Sequence, residues 1–568
     1  MGSIIKKKRK YNTYYYYVES KRVDGKPRIV NQVYLGTADA VLNKYKETEE
    51  KIKPLYSVVL DFADVAVLYD LAMRLDIVGI INKHTKKRKQ GTSVGEYALI
   101  ASINRALSPT SKSCISNWYS KTILPKLLPV KENALTPQNF WNHMRISDEA
   151  LNSINNEMVK KIIDTYDVDT THLIYDATNF YTYIDTMQES ELAKRGHCKH
   201  KRNDLKIVGL SMMITPDCNI PLLYDTYPGN RPDSKQFAFM LEKLKSQYEM
   251  LTNKKADITT IIFDRGNNSE YNIDSLEDEA FPLYYVGGLK RNQCVDLYAV
   301  SKDFFTPLSG DGFKSACAFR TMRKVYNRDM TIVVVFNKNL YDGQMQGIEI
   351  NIEKTTDKLA DLQKRLKNRV EGLTTKGRAP TVASVEKQLK TILSAEFMDD
   401  IFSYEMSTLE GLPHFNYKFC VENFSHLQDT ILGKVVHFTN RHDWTNEEIA
   451  ASYRSAWHIE HSFRQMKDND HLTVRPLFHW TDEKIKVHIF YCILAYRMCC
   501  LLKKELLAKG IDDSLNQLLN QLCDIKYVKT VLDTSQSDTL RSFSQGTALA
   551  EKIISLYDLK NKYFPNII

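Results

Sequence analysis

The chain has 568 residues, 43% of them apolar and 26% charged, with 78 Lys and Arg against 69 Asp and Glu for a net charge of +9. These are the proportions of a soluble globular protein too long for one hydrophobic core, and the positive excess permits a polyanionic partner without demanding one. The ten cysteines include no CxxC pair, which argues against a zinc ribbon and for unpaired thiols in a reducing compartment, and the N-terminus is basic and tyrosine-rich rather than a secretory leader.

In chain order, residues 1 to about 50 alternate as strands, Tyr14 to Val18 and Arg28 to Leu35, around a predicted turn at Asp24-Gly25. The basic run Lys6 to Lys10 and the aromatic face beside it suit either nucleic acid or packing on the next domain. Phe62 to Tyr166 has helical periodicity, with Ser93 and Thr136 as caps, but no helix-turn-helix can be read there. A mixed pattern follows. His172 to Asp176 is a short apolar strand ending in an acid, Leu205 to Ile214 and Ile220 to Tyr227 are strands joined by a turn, and Asp233 to Gln236 caps a helix. Ile258 to Asp264 is a second apolar strand ending in an acid, and Phe281 to Val286 is another strand. Between Gly287 and about Phe419 the pattern breaks into a strand, Thr331 to Phe336, and a charged helix, Asn351 to Arg369, and reads as an insertion. Phe419 to Asn440 is strand-like, and Ile489 to Leu502 is a buried helix too short to span a bilayer.

Two clusters carry candidate chemistry. Lys194 to Arg202 is dense in cations, including Lys199, Lys201 and Arg202, while His197-Cys198-Lys199-His200 lacks the spacing of a zinc site. Tyr453 to Lys467 reads as a helix introduced by the capping box Thr445 to Glu448. On it Tyr453, Trp457, Glu460, Arg464 and Lys467 fall within a stripe of about 80°. A carboxylate among cations suits a metal-bound phosphate; solvated pairs worth a few tenths of a kcal/mol are the alternative that the helix alone leaves open.

Asp176 and Asp264 both close apolar strands, where ligands gather in parallel or mixed sheets. A strand order placing the first and fourth strands side by side unites them, with Glu460 as a third acid. Three convergent carboxylates can hold two magnesium ions for phosphodiester chemistry.

The blocks IYDATNFY, KHKRNDLKIVGLSMMITPDCNIPLLYDTYPGNRPD, IIFDRGNNS, GKVVHFTN and YRSAWHIEHSFRQMK resemble those of DDE transposases of the insertion-sequence-four superfamily, nearest its insertion-sequence-1634-like branch. The resemblance runs from about Leu173 to Leu502. It implies an α/β RNase H-like core interrupted by an α+β insertion, with Asp176, Asp264 and Glu460 as the catalytic, metal-binding triad, taking Mg2+ or, in its place, Mn2+. The family's tyrosine, arginine, glutamate and lysine motif falls on Tyr453, Ala456, Glu460 and Lys467, so its arginine is absent; of Arg454 and Arg464, only Arg464 shares the face of Glu460.

Tyr453, Trp457, Arg464, Lys467, Arg265, Lys199, Lys201 and Arg202 are the expected DNA contacts, with Trp457 or Trp444 stacking on a displaced base. The expected partners are double-stranded DNA, as terminal inverted repeats and target, and a second copy in a synaptic homodimer; the expected setting is a prokaryotic cytoplasm. A nuclease without strand transfer and an inactive DNA-binding derivative are the competing readings. The division expected is a hairpin region 1–55, a helical end-binding domain 56–168, core 169–290, insertion 291–418, core 419–525 and a tail 526–568.

Overall fold

The computed structural model describes residues 2–9, 12–23, 26–51, 54–86, 91–131, 133–185, 187–199, 201–252, 259–278, 281–310, 312–374, 377–533 and 538–565, side chains of 23, 47–51 and 248–252 excepted. The predicted turn at Asp24-Gly25, the end of the basic run at Lys10, and His200 lie outside these residues. The chain forms two compact units, one of residues 1–82, 86–143 and 505–568, the other of 83–85 and 144–504.

The first unit opens with three antiparallel strands, β1 (Gly2–Arg9), β2 (Asn12–Val23) and β3 (Lys26–Gly36), so the basic leader is itself a strand. The helix Ala38–Lys51 follows. Next comes β4 (Pro54–Asp61), which pairs with β16 (Lys526–Leu532), itself paired with β17 (Thr539–Phe543). The C-terminal segment, expected as a tail, is therefore held in a sheet with a strand some 470 residues earlier. Of the expected caps, Ser93 forms a full capping box with Glu96, and Thr136 accepts from the amide of Asn139 at 3.2 Å. The helix Asp148–Tyr166, expected with the helical domain, packs instead against the helix Asp233–Thr252 of the second unit.

The second unit is built on a nine-stranded mixed sheet. Its strands are β5 (His172–Tyr181), β6 (Ile207–Ile214), β7 (Pro221–Pro228), β8 (Thr260–Phe263), β9 (Tyr284–Gly288), β10 (Thr306–Pro307), β11 (Ala316–Val325), β12 (Arg328–Asn337) and β15 (Lys434–Thr439), in the order β10-β11-β12-β15-β9-β8-β5-β6-β7. β5, β6 and β7 are antiparallel neighbours, and β8 and β9 run parallel to β5. This is the RNase H-like core, and its first and fourth strands lie side by side, the order that unites Asp176 with Asp264. Every residue of β6 is buried, as a central strand covered on both faces must be, which explains its unbroken apolar run. Phe237, on the helix Asp233–Thr252, packs its ring 4.6 Å from that of Tyr175 and 4.9 Å from that of Phe263.

Three expectations are corrected. The β10 to β12 segment is not part of a separate insertion: the apolar run Ile332 to Phe336 pairs with β15 and widens the core sheet. The inserted body proper starts with the helix Lys338–Val370 and has its own core, including Leu359, Leu366, Val385, Leu389 and Phe415, beside the hairpin β13 (Phe402–Leu409) and β14 (Leu412–Phe419). Within Phe419 to Asn440, Val421–Thr430 is a helix rather than a strand. The apolar helix is also longer than expected: Asp482–Leu507 has the length and apolarity of a membrane span, but 94% of its apolar window is buried. Its buried Arg497 donates to the carbonyls of Pro221 at 2.7 Å and Leu222 at 3.1 Å and to Asn155 Oδ1 at 2.5 Å. Burial pulls the guanidinium down to about 10.

Candidate active site

The parallel ladder between β5 and β8 ends at the pair Tyr175 and Phe263. Asp176 and Asp264 are the next residue on each strand, so the ladder's register alone makes them neighbours. Asp264 follows the end of its strand, but Asp176 does not: β5 continues to Tyr181 because Ala177 to Tyr181 still pair with β6. Asp176 therefore stands in mid-strand, where its parallel neighbour has stopped. It opens to the cleft but is otherwise enclosed. Burial, with the nearby negative charges of Asp264 and Asp233, pushes its carboxyl up to about 6, opposed by Lys199 and the amide of Ala177.

The expected single helix Tyr453–Lys467 is two helices, Asn446–Arg454 and Trp457–Gln465. Ser455 breaks it: its hydroxyl donates back to the Ser452 carbonyl at 2.6 Å, and Ala456 and His458 form tight three-residue bonds to Tyr453 and Ser455. The turn at Ser455 and Ala456 interrupts the five-residue stripe, yet most of its members converge. Tyr453 donates from its hydroxyl to Asp264 Oδ1 at 3.1 Å, while Glu460, Arg464 and Lys467 line the cleft. Tyr453 is fixed by packing, its ring 4.2 Å from that of His437 and in contact with the cluster of Val286, Val333 and Ile449. Burial holds His437 neutral, down at about 3, and burial with the charge of Asp264 raises the Tyr453 phenol.

Asp176, Asp264 and Glu460 thus open into one cleft of about 890 Å3, also lined by Lys199, Asp233, Asn267, Arg464, Lys467 and Arg475. Lys199 is placed by Asn179 on β5, which accepts from the Lys199 amide at 3.3 Å; its ammonium donates to the Ala177 carbonyl at 2.7 Å and lies 3.6 Å from Asp233. Lys467 donates to Thr178 Oγ1 at 2.6 Å, and burial with the neighbouring Lys199 pulls it down to about 8. Arg475 donates to the Tyr181 hydroxyl at 3.0 Å and to the Lys467 carbonyl.

Not every expected contact gathers here. Arg265 and Lys201 are exposed and do not line the cleft, and Arg202 is forked onto Asp204 at 2.8 and 2.7 Å. Trp457 is 52% exposed and stacks on His458 outside the cleft; Trp444 is packed against His172 and Arg441. Arg454 donates to the Gly312 carbonyl at 2.5 Å, leaving Arg464 as the arginine on the Glu460 side. Asp233, Asn267 and Arg475 were not singled out from sequence. Asp233 and Asn267 lie in quoted blocks but looked like a helix cap and turn residues; Arg475 carries no local signal.

The transposase DDE domain family matches residues 168–498, more than half of the chain and the whole of this cleft. The chain belongs to that family. It is therefore a DDE transposase, of a family whose nuclease and transesterase chemistry depends on divalent metal. No curated protein matches the sequence. Among solved structures the transposase is similar to a piggyBac transposase synaptic complex with hairpin DNA, at 10% identity over 81% of this chain and 80% of that one, with a TM-score of 0.38. It is also similar to Mos1 transposase in a paired-end complex with the left transposon end, at 10% identity over 35% of this chain and 61% of that one, with a TM-score of 0.15. The family match, not these distant likenesses, carries the assignment.

The donor set suits a hard divalent cation: the cleft offers only oxygen ligands, and the crowded negative charge around Asp176 is what a cation would relieve. Buried Asn267 adds a side-chain oxygen with no hydrogen-bond partner. Among the described residues no three His, Cys, Asp or Glu side chains stand close enough to grip an ion as arranged, so loading requires side-chain movement, for which exposed Glu460 has room.

Proposed function

We propose that the protein is the transposase of an insertion-sequence element of the insertion-sequence-four superfamily, which binds the element's terminal inverted repeats, cuts the DNA there and joins the freed ends to a target. The observation that carries this reading is the opening of Asp176, Asp264 and Glu460 into one cleft walled by Lys199, Arg464, Lys467 and Arg475. Asp176, Asp264 and Glu460 would hold Mg2+, as a pair of ions for which Mn2+ would substitute, and such ions would supply activation of the attacking oxygen and charge stabilisation of the leaving one.

The chain's own residues do the rest. Asp176 must be ionised to take part, and because burial raises its carboxyl, protons compete with the cation for it as the pH falls. Tyr453, by donating to Asp264, fixes the orientation of that carboxylate. Lys467 is anchored to Thr178 and Arg475 to Tyr181, which presents both cations to the phosphates flanking the scissile bond with little ordering left to do. Arg464 takes the phosphate contact that the family gives to the arginine missing at Ala456. Cutting at two paired ends supports a synaptic homodimer, and exposed Trp457 is placed to stack on an extruded base.

The test incubates full-length protein with DNA carrying the inverted repeats that flank its coding region, with and without Mg2+, and follows nicks, hairpins and strand-transfer products. Asp176→Ala, Asp264→Ala and Glu460→Ala each abolish cleavage while leaving DNA binding largely intact; robust cutting by Glu460→Ala would sink the assignment. Nicks without joined products mark a nuclease, and binding without cutting marks an inactive derivative. Lys467→Ala weakens binding to cleaved ends and lowers its salt dependence by about one unit of slope, and an unchanged slope removes Lys467 from the phosphate contacts.

A further inference from the structure

The positive charge of this chain is concentrated in one small module. Residues 1–36 hold nine Lys and Arg against two acids, Glu19 and Asp24, a net of +7 out of +9 for the whole chain. The structure arranges this segment as the sheet β1-β2-β3. All of β1 except Ile5 is exposed, and β3 is exposed from Lys26 to Tyr34. Among the described residues Lys6, Lys8, Arg9, Arg22 and Arg28 form no ion pair, and Glu19 accepts from the Tyr17 hydroxyl at 3.2 Å rather than from a cation. Mutual repulsion among the β1 cations works against folding, so their concentration needs another reason.

The two faces of the sheet differ. On one, cross-strand pairing collects Lys7, Tyr14, Tyr16, Gln32 and Tyr34. The Lys7 ammonium lies 4.9 Å from the ring centre of Tyr16 and 3.2 Å from Gln32 Oε1, and the Tyr34 ring lies 5.3 Å from that of Tyr16 and 5.9 Å from that of Tyr14. Tyr34 is 58% exposed. On the other face Ile4, Tyr15 and Leu35 form a groove with Val41, Leu42 and Tyr45 of the following helix. Cations, phenols and an amide thus share the face the helix does not cover.

We infer that this face is a duplex-DNA contact, with Lys7 and Arg9, flanked at the edge by Lys6 and Lys8, on phosphates and Tyr14, Tyr16, Gln32 and Tyr34 turned to the groove. The chemistry matches each group. Lysine and arginine supply the phosphate neutralisation that dominates affinity, tyrosine hydroxyls donate to phosphate or sugar, and a glutamine amide can pair with adenine in the major groove. Strands and sheets serve as DNA readers in their own right. The inference rests on the transposase reading only in its choice of DNA as the ligand.

The experiment uses the full chain, metal-free, with fluorescein-labelled duplex DNA of mixed sequence, and measures binding across a salt series. Joint replacement of Lys6, Lys7, Lys8 and Arg9 by Gln is expected to weaken binding about tenfold or more and to lower the log–log salt slope by about three to four; replacing Lys6, Lys7 and Lys8 by Arg instead retains both. Tyr34→Ala is expected to weaken binding at unchanged slope. Because the substituted side chains are exposed and the glutamines relieve mutual repulsion, the thermal melt should not fall below that of the wild type. Wild-type affinity and slope in the glutamine variant would overturn the inference, as would competition by polyglutamate as effective as that by unlabelled duplex, which would assign the face to an acidic protein. Mg2+-dependent nicking of inverted-repeat DNA, run in parallel, separates the two readings. Sheet-dependent binding without nicking removes the transposase reading and keeps the DNA contact, whereas nicking with unaltered binding by the glutamine variant removes the contact alone.

Discussion

At the scale of single residues, Asp176 stands in surroundings that a lone carboxylate avoids. Its folded carboxyl titrates at about 6 against an ordinary 3.8, so the unfolded chain ionises more readily than the folded one. The sign follows: the contribution of this one group to stability is most favourable below about pH 4, falls as pH rises towards 6, and the penalty persists above, on the order of 3 kcal/mol at most. Asp176→Asn removes the ionisation. In metal-free buffer at pH 8 the variant should melt above the wild type, and at pH 4 the difference should vanish. Added Mg2+ should raise the wild-type melting temperature and leave the variant behind. A wild type as stable as the variant at pH 8 without metal would show that the carboxylate is not destabilised. The identity of Asp176 was legible in the sequence because an acid closing an apolar run is conspicuous; its place in mid-strand was not, since only pairing with β6 carries β5 onward to Tyr181.

At the scale of elements, the site depends on two close approaches. The first is the parallel ladder that makes Asp176 and Asp264 neighbours. The second is Gly288, at the end of β9, where a Cβ would stand 2.5 Å from the Tyr453 hydroxyl oxygen. Gly288→Ala should therefore push the Tyr453 ring off Asp264 while β9 still pairs with β8 and β15. Cleavage is expected to fall by about tenfold to a hundredfold, the effect of misplacing a group that orients a catalytic one, with DNA affinity unchanged. Tyr453→Phe, which removes the same hydrogen bond without the clash, should reproduce the loss; normal cleavage by both variants would remove Tyr453 from the positioning of Asp264. The helical periodicity of Tyr453 to Lys467 was visible in the sequence, but the break at Ser455 was not. Serine is tolerated in helices, and nothing local announces that its hydroxyl turns back on the Ser452 carbonyl or that Ala456 and His458 bond three residues back rather than four.

At the scale of the whole molecule, the inserted body from Lys338 to about Leu432 has its own apolar core and is flanked by β12 and β15, adjacent strands of the central sheet. Leu389 is fully buried there, so Leu389→Ala should cost about 2–5 kcal/mol locally. Amide exchange is the measurement: faster exchange confined to 338–432, with β5, β6 and β8 still protected, is the expected pattern, and uniform acceleration throughout the sheet would show that the insertion and the core unfold as one. Sequence by itself determined the alternation of elements in the core, the three acids, most of the caps and the concentration of cations in the first 36 residues, because periodicity, capping and charge are local properties. Only the tertiary structure decided that β10 to β12 extend the core sheet, that the C-terminal strands pair with β4, and that Asp233, Asn267 and Arg475 join the cleft. Those outcomes depend on strand partners hundreds of residues apart and on the direction in which packed side chains point, for which a linear pattern carries no signal.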